Sequence, residues 1–280
     1  MNRIRNSWEL VKGSWVVLRA DKELIVFPIV STIGAIIVTL TFAIPMIISG
    51  LFAGLSNGRG GSQITVTFFA FLFYLVQYTV IFYCNSALVG AAMIRLKGGD
   101  PTVRDGFRIA SQHVGAIIGY ALIASTVGMI LRWLSEKGIL GRIVASLFGL
   151  AWNVATYLAV PVLVMENVGP IDAVKRSTQL LKKTWGEQIV GNLGIGVIFG
   201  LIALLLCLIF IPAIVVAAST GSAAIIFAVI LMFVLAFLII SLIGSALNGI
   251  YTAAVYRFAT EGNAGTYFEA GLVENAFRAK

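Results

Sequence analysis

Gln188 to Ala218 reads QIVGNLGIGVIFGLIALLLCLIFIPAIVVAA, without one Asp, Glu, Lys or Arg. A hydrocarbon core about 30 Å thick is crossed by roughly 20 helical residues. A barrel strand would alternate polar and apolar side chains at every second position. Leu204-Leu205-Leu206 here, and Leu238-Ile239-Ile240 in a second run from Ser222 to Tyr256, are apolar on every side. In lipid such a segment must satisfy its own backbone, which a helix does.

Four more charge-poor runs precede these two. The expected spans are 26–54, 64–94, 114–131, 143–165, 188–218 and 222–256, with an interfacial segment at 1–25 and a tail at 257–280. The expected fold is all-α, a polytopic membrane helix bundle of six transmembrane helices forming a single domain over 1–280. Composition agrees: of 280 residues 59% are hydrophobic and 11% charged, against roughly 25% charged in soluble domains. Cys84 and Cys207 fall inside apolar runs and are read as small buried hydrophobes. The first apolar run is too long for the hydrophobic part of a cleaved signal, so none is expected.

The net charge of +8 could mean nucleic acid, anionic lipid or membrane topology. Short basic clusters between long apolar runs favour topology. Of the 20 Lys and Arg, only Arg59, Arg132, Lys137 and Arg142 fall on one side of the six spans. All the others fall with the N-terminal segment, the second and fourth loops and the tail. By the positive-inside rule both termini are cytoplasmic, in a cell (inner) membrane protein.

Each segment before an odd-numbered span carries an apolar stripe at helical spacing. Ile4, Trp8, Val11, Trp15 and Leu18 form the first, Val103, Phe107, Ala110 and Val114 a weaker second, and Ile171, Val174, Thr178, Leu181 and Trp185 the third. Such helices suit the headgroup layer, apolar face in and basic face out. Val11-Lys12-Gly13-Ser14 and Leu18-Arg19 also repeat as Val174-Lys175-Arg176-Ser177 and Leu181-Lys182, 163 residues on. The chain is thus expected to hold up to three units of interfacial helix plus membrane hairpin. Pro28, Pro45 and Pro212 are expected to kink or end the helices that hold them.

Ser7 to Trp15, then Leu18 to Leu24 and Phe27-Pro28, resemble the start of an uncharacterised family of prokaryotic six-span integral membrane proteins. Glu166 to Pro170, followed by Ala173 and Arg176-Ser177, is loosely similar to membrane domains fused to glycerophosphodiester phosphodiesterases. These resemblances imply a fold and a location, and they bring no catalytic residues.

Enzyme chemistry needs convergent titratable groups. The chain has one His, His113, read as an interfacial residue, and its acids lie outside the expected spans. No catalytic, metal or cofactor residues are therefore assigned. Proton relays and many ion-coupled transporters need charges inside the bundle. The intramembrane polar set is neutral, namely Gln77, Asn85, Asn153, Asn192 and Asn248, and is expected to hydrogen-bond between helices.

Lys12, Arg19, Lys175, Arg176, Lys182 and Lys183 form a candidate basic collar for anionic lipid, with Trp8, Trp15 and Trp185 as anchors at headgroup depth. The expected function is non-enzymatic: membrane organisation, lipid interaction or partner scaffolding. The alternative is a permease or channel for a small or lipid-like substrate. Expected partners are membrane lipids, anionic ones first, with a protein partner or homo-oligomer left open and no nucleic acid.

Overall fold

The computed structural model describes residues 12–48, 63–185 and 194–263, and every regular element among them is helical. A short helix α1 (12–20) leads through a 3-10 turn, Lys22–Ile25, into α2 (Val26–Ile48). Next come α3 (Gln63–Leu96), α4 (Val103–Gln112), α5 (Val114–Ser135), α6 (Ile139–Ala155) and α7 (Ala159–Met165). The chain then forms α8 (Pro170–Trp185), α9 (Gly194–Ser219) and α10 (Ala223–Glu261). Six helical stretches among the described residues are long and apolar enough to cross a membrane.

The fourth span departs from expectation. It begins at Ile139, taking in Arg142, and splits into α6 and α7 around Thr156-Tyr157-Leu158. Pro161 supplies the reason, because it lacks the N–H that would bond the Tyr157 carbonyl and its ring crowds that oxygen. The break also leaves the Leu158 N–H without a backbone acceptor among the described residues, as the Tyr157 N–H takes the Val154 carbonyl. Ser177 Oγ on α8 accepts from the buried Leu158 N–H at 3.0 Å. Pro45 and Pro212, by contrast, lie within the uninterrupted α2 and α9, and Pro28 sits in the first turn of α2. The third span also runs four residues further than expected, to Ser135, so Arg132 is part of its helix.

Packing divides the molecule into two sections. In one, α2 exposes large apolar side chains from Ile29 to Ile48, α6 from Ile139 to Leu150, and α10 from Ile225 to Ile239. In the other, here called the base, Cys84 to Met93 of α3, Leu158 to Val164 of α7 and Gly249 to Tyr256 of α10 are buried almost without exception. The single core cluster lies there, joined by Val17 and Leu18 of α1, Leu24 and Phe27, Ala110 of α4 and Leu180 and Leu181 of α8.

The short helices dock on the base by small residues. Buried Gly106 and Ala110 on α4 and Ala173 and Ser177 on α8 each stand one turn apart, and Ser14 is buried on α1. The apolar stripes supply much of the docked face: Leu18, Ala110 and Leu181 are buried and Val103, Phe107 and Val174 pack against the core, with Val17 and Leu180 buried beside them, while Trp15, Val114 and Ile171 are exposed. These three helices therefore bury in protein a face that the stripes suggest for lipid. Close approach explains the change, since Phe27 and the Ala87 carbonyl fill the space beside Gly106 and Ile109 fills that beside Gly90.

Helix order repeats as one short helix followed by two long stretches, three times. The 163-residue offset places Ser14 on Ser177, Val17 on Leu180 and Leu18 on Leu181, all buried. The middle unit has its own match. Asp105 pairs with Arg108 on α4, and Asp172 with Lys175 on α8, each acid in the first helical turn and each pair three residues apart.

Candidate lipid-headgroup interface

Charged side chains gather on the base, and many are consumed in holding it together. Arg95, at the end of α3, donates to the Ala20 carbonyl at 3.0 Å, the Gly99 carbonyl at 3.2 Å and Asp100 at 2.9 Å. It thereby ties α1 to the turn before α4. Glu23 accepts from the Val103 N–H at 2.9 Å, fixing the start of α4. That start also carries a complete capping box between Thr102 and Asp105, which satisfies two otherwise orphaned donors. Hydrogen bonds from the Thr102 side chain and backbone, with Arg108 and Arg104 nearby, hold the Asp105 carboxyl below the usual range. Arg257 of α10 donates to the Leu96 carbonyl and to Glu261.

A second knot joins α7, α8 and α10. Arg176 Nε donates to both Glu166 oxygens, at 3.0 and 3.2 Å, and the Tyr256 hydroxyl donates to Glu166 at 3.3 Å. Asn167 follows with φ of 50°, the left-handed geometry asparagine tolerates after a helix. His113 caps the junction of α4 and α5, its Nδ1 2.8 Å from the Ile109 carbonyl.

The expected collar is thus divided. Lys175 and Arg176 are neutralised by Asp172 and Glu166. Lys12, Arg19 and Lys182 are exposed and have no carboxylate partner among the described residues, with Arg19 over the Trp15 ring at 5.8 Å. Lys22 and Arg104 share that condition. Sequence reasoning passed over these last two because nothing in the sequence distinguishes a paired cation from a free one. Lys183 and Trp185 end α8, with side chains outside the described residues, as are Trp8 and Asn192 altogether.

The neutral polar set does not form the expected links between helices. Asn153 and Asn248 are exposed on α6 and α10, and Asn85 is half-buried near Gly249. Gln77 Oε1 is enclosed with no hydrogen-bond partner among the described residues. None of the four side chains is hydrogen-bonded among the described residues. Small residues allow the helices to touch directly, as where Leu88 fills the space beside Gly249, so the amides are left to the surface or to enclosed space. Among the described residues no three His, Cys, Asp or Glu converge as metal ligands would.

Residues 64–267, well over half of the chain, match a family of unknown function, DUF6159. The chain belongs to that family. The matched stretch runs from the start of α3 past the end of α10, so it takes in most of the base and the Glu166 to Ser177 motif. The opening motif from Ser7 to Pro28 lies outside it. No curated protein and no solved structure is similar to the chain at a significant level.

Proposed function

We propose that this member of DUF6159 is a non-enzymatic protein of the cell (inner) membrane, termini cytoplasmic, whose base binds the headgroups of anionic lipids. One observation carries the reading: Lys12, Arg19, Lys22, Arg104 and Lys182 are exposed without a carboxylate partner among the described residues, on a base whose other cations are mostly paired. Each such charge near an anionic surface is worth about 1 kcal/mol. The attraction should weaken steeply with salt, because the Debye length is only about 8 Å at physiological ionic strength. Trp15, stacked under Arg19, suits headgroup depth. The likeness of Glu166 to Ser177 to membrane domains fused to phosphodiesterases favours a scaffold of this kind beside a partner.

The test is lipid co-purification in mild detergent, read by mass spectrometry. Changing all five free cations to Gln should deplete anionic lipid relative to zwitterionic lipid, and the double variant K175Q/R176Q should deplete it far less. Equal retention by the five-fold variant and the native protein would refute the proposal.

A permease is the second reading, favoured by the enclosed, unpartnered Gln77 amide oxygen. Flux through liposomes that depends on the protein and is lost in Gln77→Leu would establish it over the scaffold.

A further inference from the structure

Among the described residues the exposed apolar surface stops short of the base on α2, α5, α6 and α10. Large exposed hydrophobics begin at Ile29 on α2 and Val114 on α5 and end at Leu150 on α6 and Ile239 on α10. Beyond those points α3 from Cys84, α4, α7 and α10 from Gly244 expose none. Among the described residues the short helices add only Trp15, Val16 and Ile171.

Polar groups collect where that surface gives way to the base. Ser31 lies beside Cys84. The Tyr83 hydroxyl is 2.7 Å from Ser111 Oγ. Asn153 is exposed near the end of α6, and Ser245 and Asn248 are exposed on α10. At 1.5 Å per residue, the helical stretches 114–135 of α5 and 223–243 of α10, outside the base, each cover about 30 Å, the thickness of a hydrocarbon core, and the exposed apolar side chains of α6 and α10 fall within the shorter stretches 139–150 and 225–239.

We infer that the acyl chains of the bilayer end at this polar level, and that the base stands beyond them in the headgroup layer and water. The section outside the base, with its exposed apolar side chains, is then the surface that fits lipid tails. The base, with the C-terminal part of α3 and α10 from Gly244 onward, is the surface presented to headgroups, solvent and soluble partners. The inference rests on the membrane reading but not on the choice of lipid. It takes Asn248 out of the hydrocarbon, where a span over 222–256 would bury it about 12 Å deep at helical rise.

Position 248 decides the matter. In a C84A/C207A background, a membrane-impermeant maleimide is presented to both faces of the membrane. Asn248→Cys should label at a rate close to Thr260→Cys, which lies in the base on either account, while Val234→Cys stays unlabelled. Labelling of Thr260→Cys without Asn248→Cys would overturn the inference.

Asn248→Asp gives an independent reading that needs no thiol. Native-like membrane insertion and melting temperature are expected if the position meets water or headgroups, and loss of insertion would contradict that. Either result leaves the lipid-retention experiment on the five cations free to succeed or fail separately.

Discussion

At Gly106 an added methyl group would stand 2.7 Å from the Ala87 carbonyl oxygen and press on the Phe27 ring. Backbone on one side and a fully buried ring on the other leave little room to yield, and overpacking of this kind costs about 1–3 kcal/mol. Gly106→Ala should therefore lower the melting temperature in detergent, despite the better helix propensity of Ala. Gly115, with nothing within 4 Å of the same position, is the control. There Gly115→Ala should hold or raise stability by up to about 1 kcal/mol.

Asp21 makes a pH-dependent case. Burial raises its pKa, and one oxygen, Oδ2, is enclosed without a partner while Oδ1 caps the Glu23 N–H. A raised folded-state pKa means the folded protein holds the proton more tightly than the unfolded chain. Stability is then lost as pH rises from the ordinary Asp value, about 3.9, through the raised one. Asp21→Asn keeps the cap and removes the buried charge. It should melt higher than the native protein at pH 7, with the difference closing near pH 4, and melting curves at the two pH values check it.

At the scale of elements, the 163-residue offset pairs two buried serines with unlike duties. Ser177 Oγ receives the Leu158 N–H at the break between α6 and α7, whereas Ser14 Oγ is buried with no partner among the described residues. Ser177→Ala leaves a buried donor unpaired, at a cost of about 1–3 kcal/mol. Ser14→Ala removes a buried hydroxyl that bonds nothing among the described residues and should be neutral or stabilising. Chemical denaturation of both variants tests whether the helix break depends on α8.

The equivalence of the two serines was legible in sequence, as were the six apolar stretches, because spacing and hydropathy record them directly. The break was not. Thr156-Tyr157-Leu158 contains no breaker, and the cause, Pro161, lies a turn further on inside an apolar run. The free cations were legible only in part, since pairing depends on partners distant in sequence, as Arg176 finds Glu166 across the turn before α8. That the short helices dock on protein was hidden for another reason. Small residues such as Gly106 and Ala173 carry little hydropathy, yet they decide which face can approach the bundle.

Hydropathy also gives equal weight to apolar side chains that meet protein and those that meet lipid, so at the scale of the molecule a long run overstates the membrane. Residues 222–256 would reach about 52 Å as a straight helix, well beyond a hydrocarbon core of about 30 Å. The full run would fit only by steep tilt or local thickening. If instead α10 meets acyl chains only as far as Gly244, the stretch left to them, 223–243, matches 114–135 of α5 in length, and no large mismatch remains. Stability should then depend on lipid length in a defined way. In bilayers of graded acyl length, the melting temperature should peak near a hydrocarbon thickness of about 30 Å and fall on both sides, because each Å of mismatch costs a fraction of a kcal/mol. A melting temperature that kept climbing into much thicker bilayers would mean that the whole of the 222–256 run lies among acyl chains, base included.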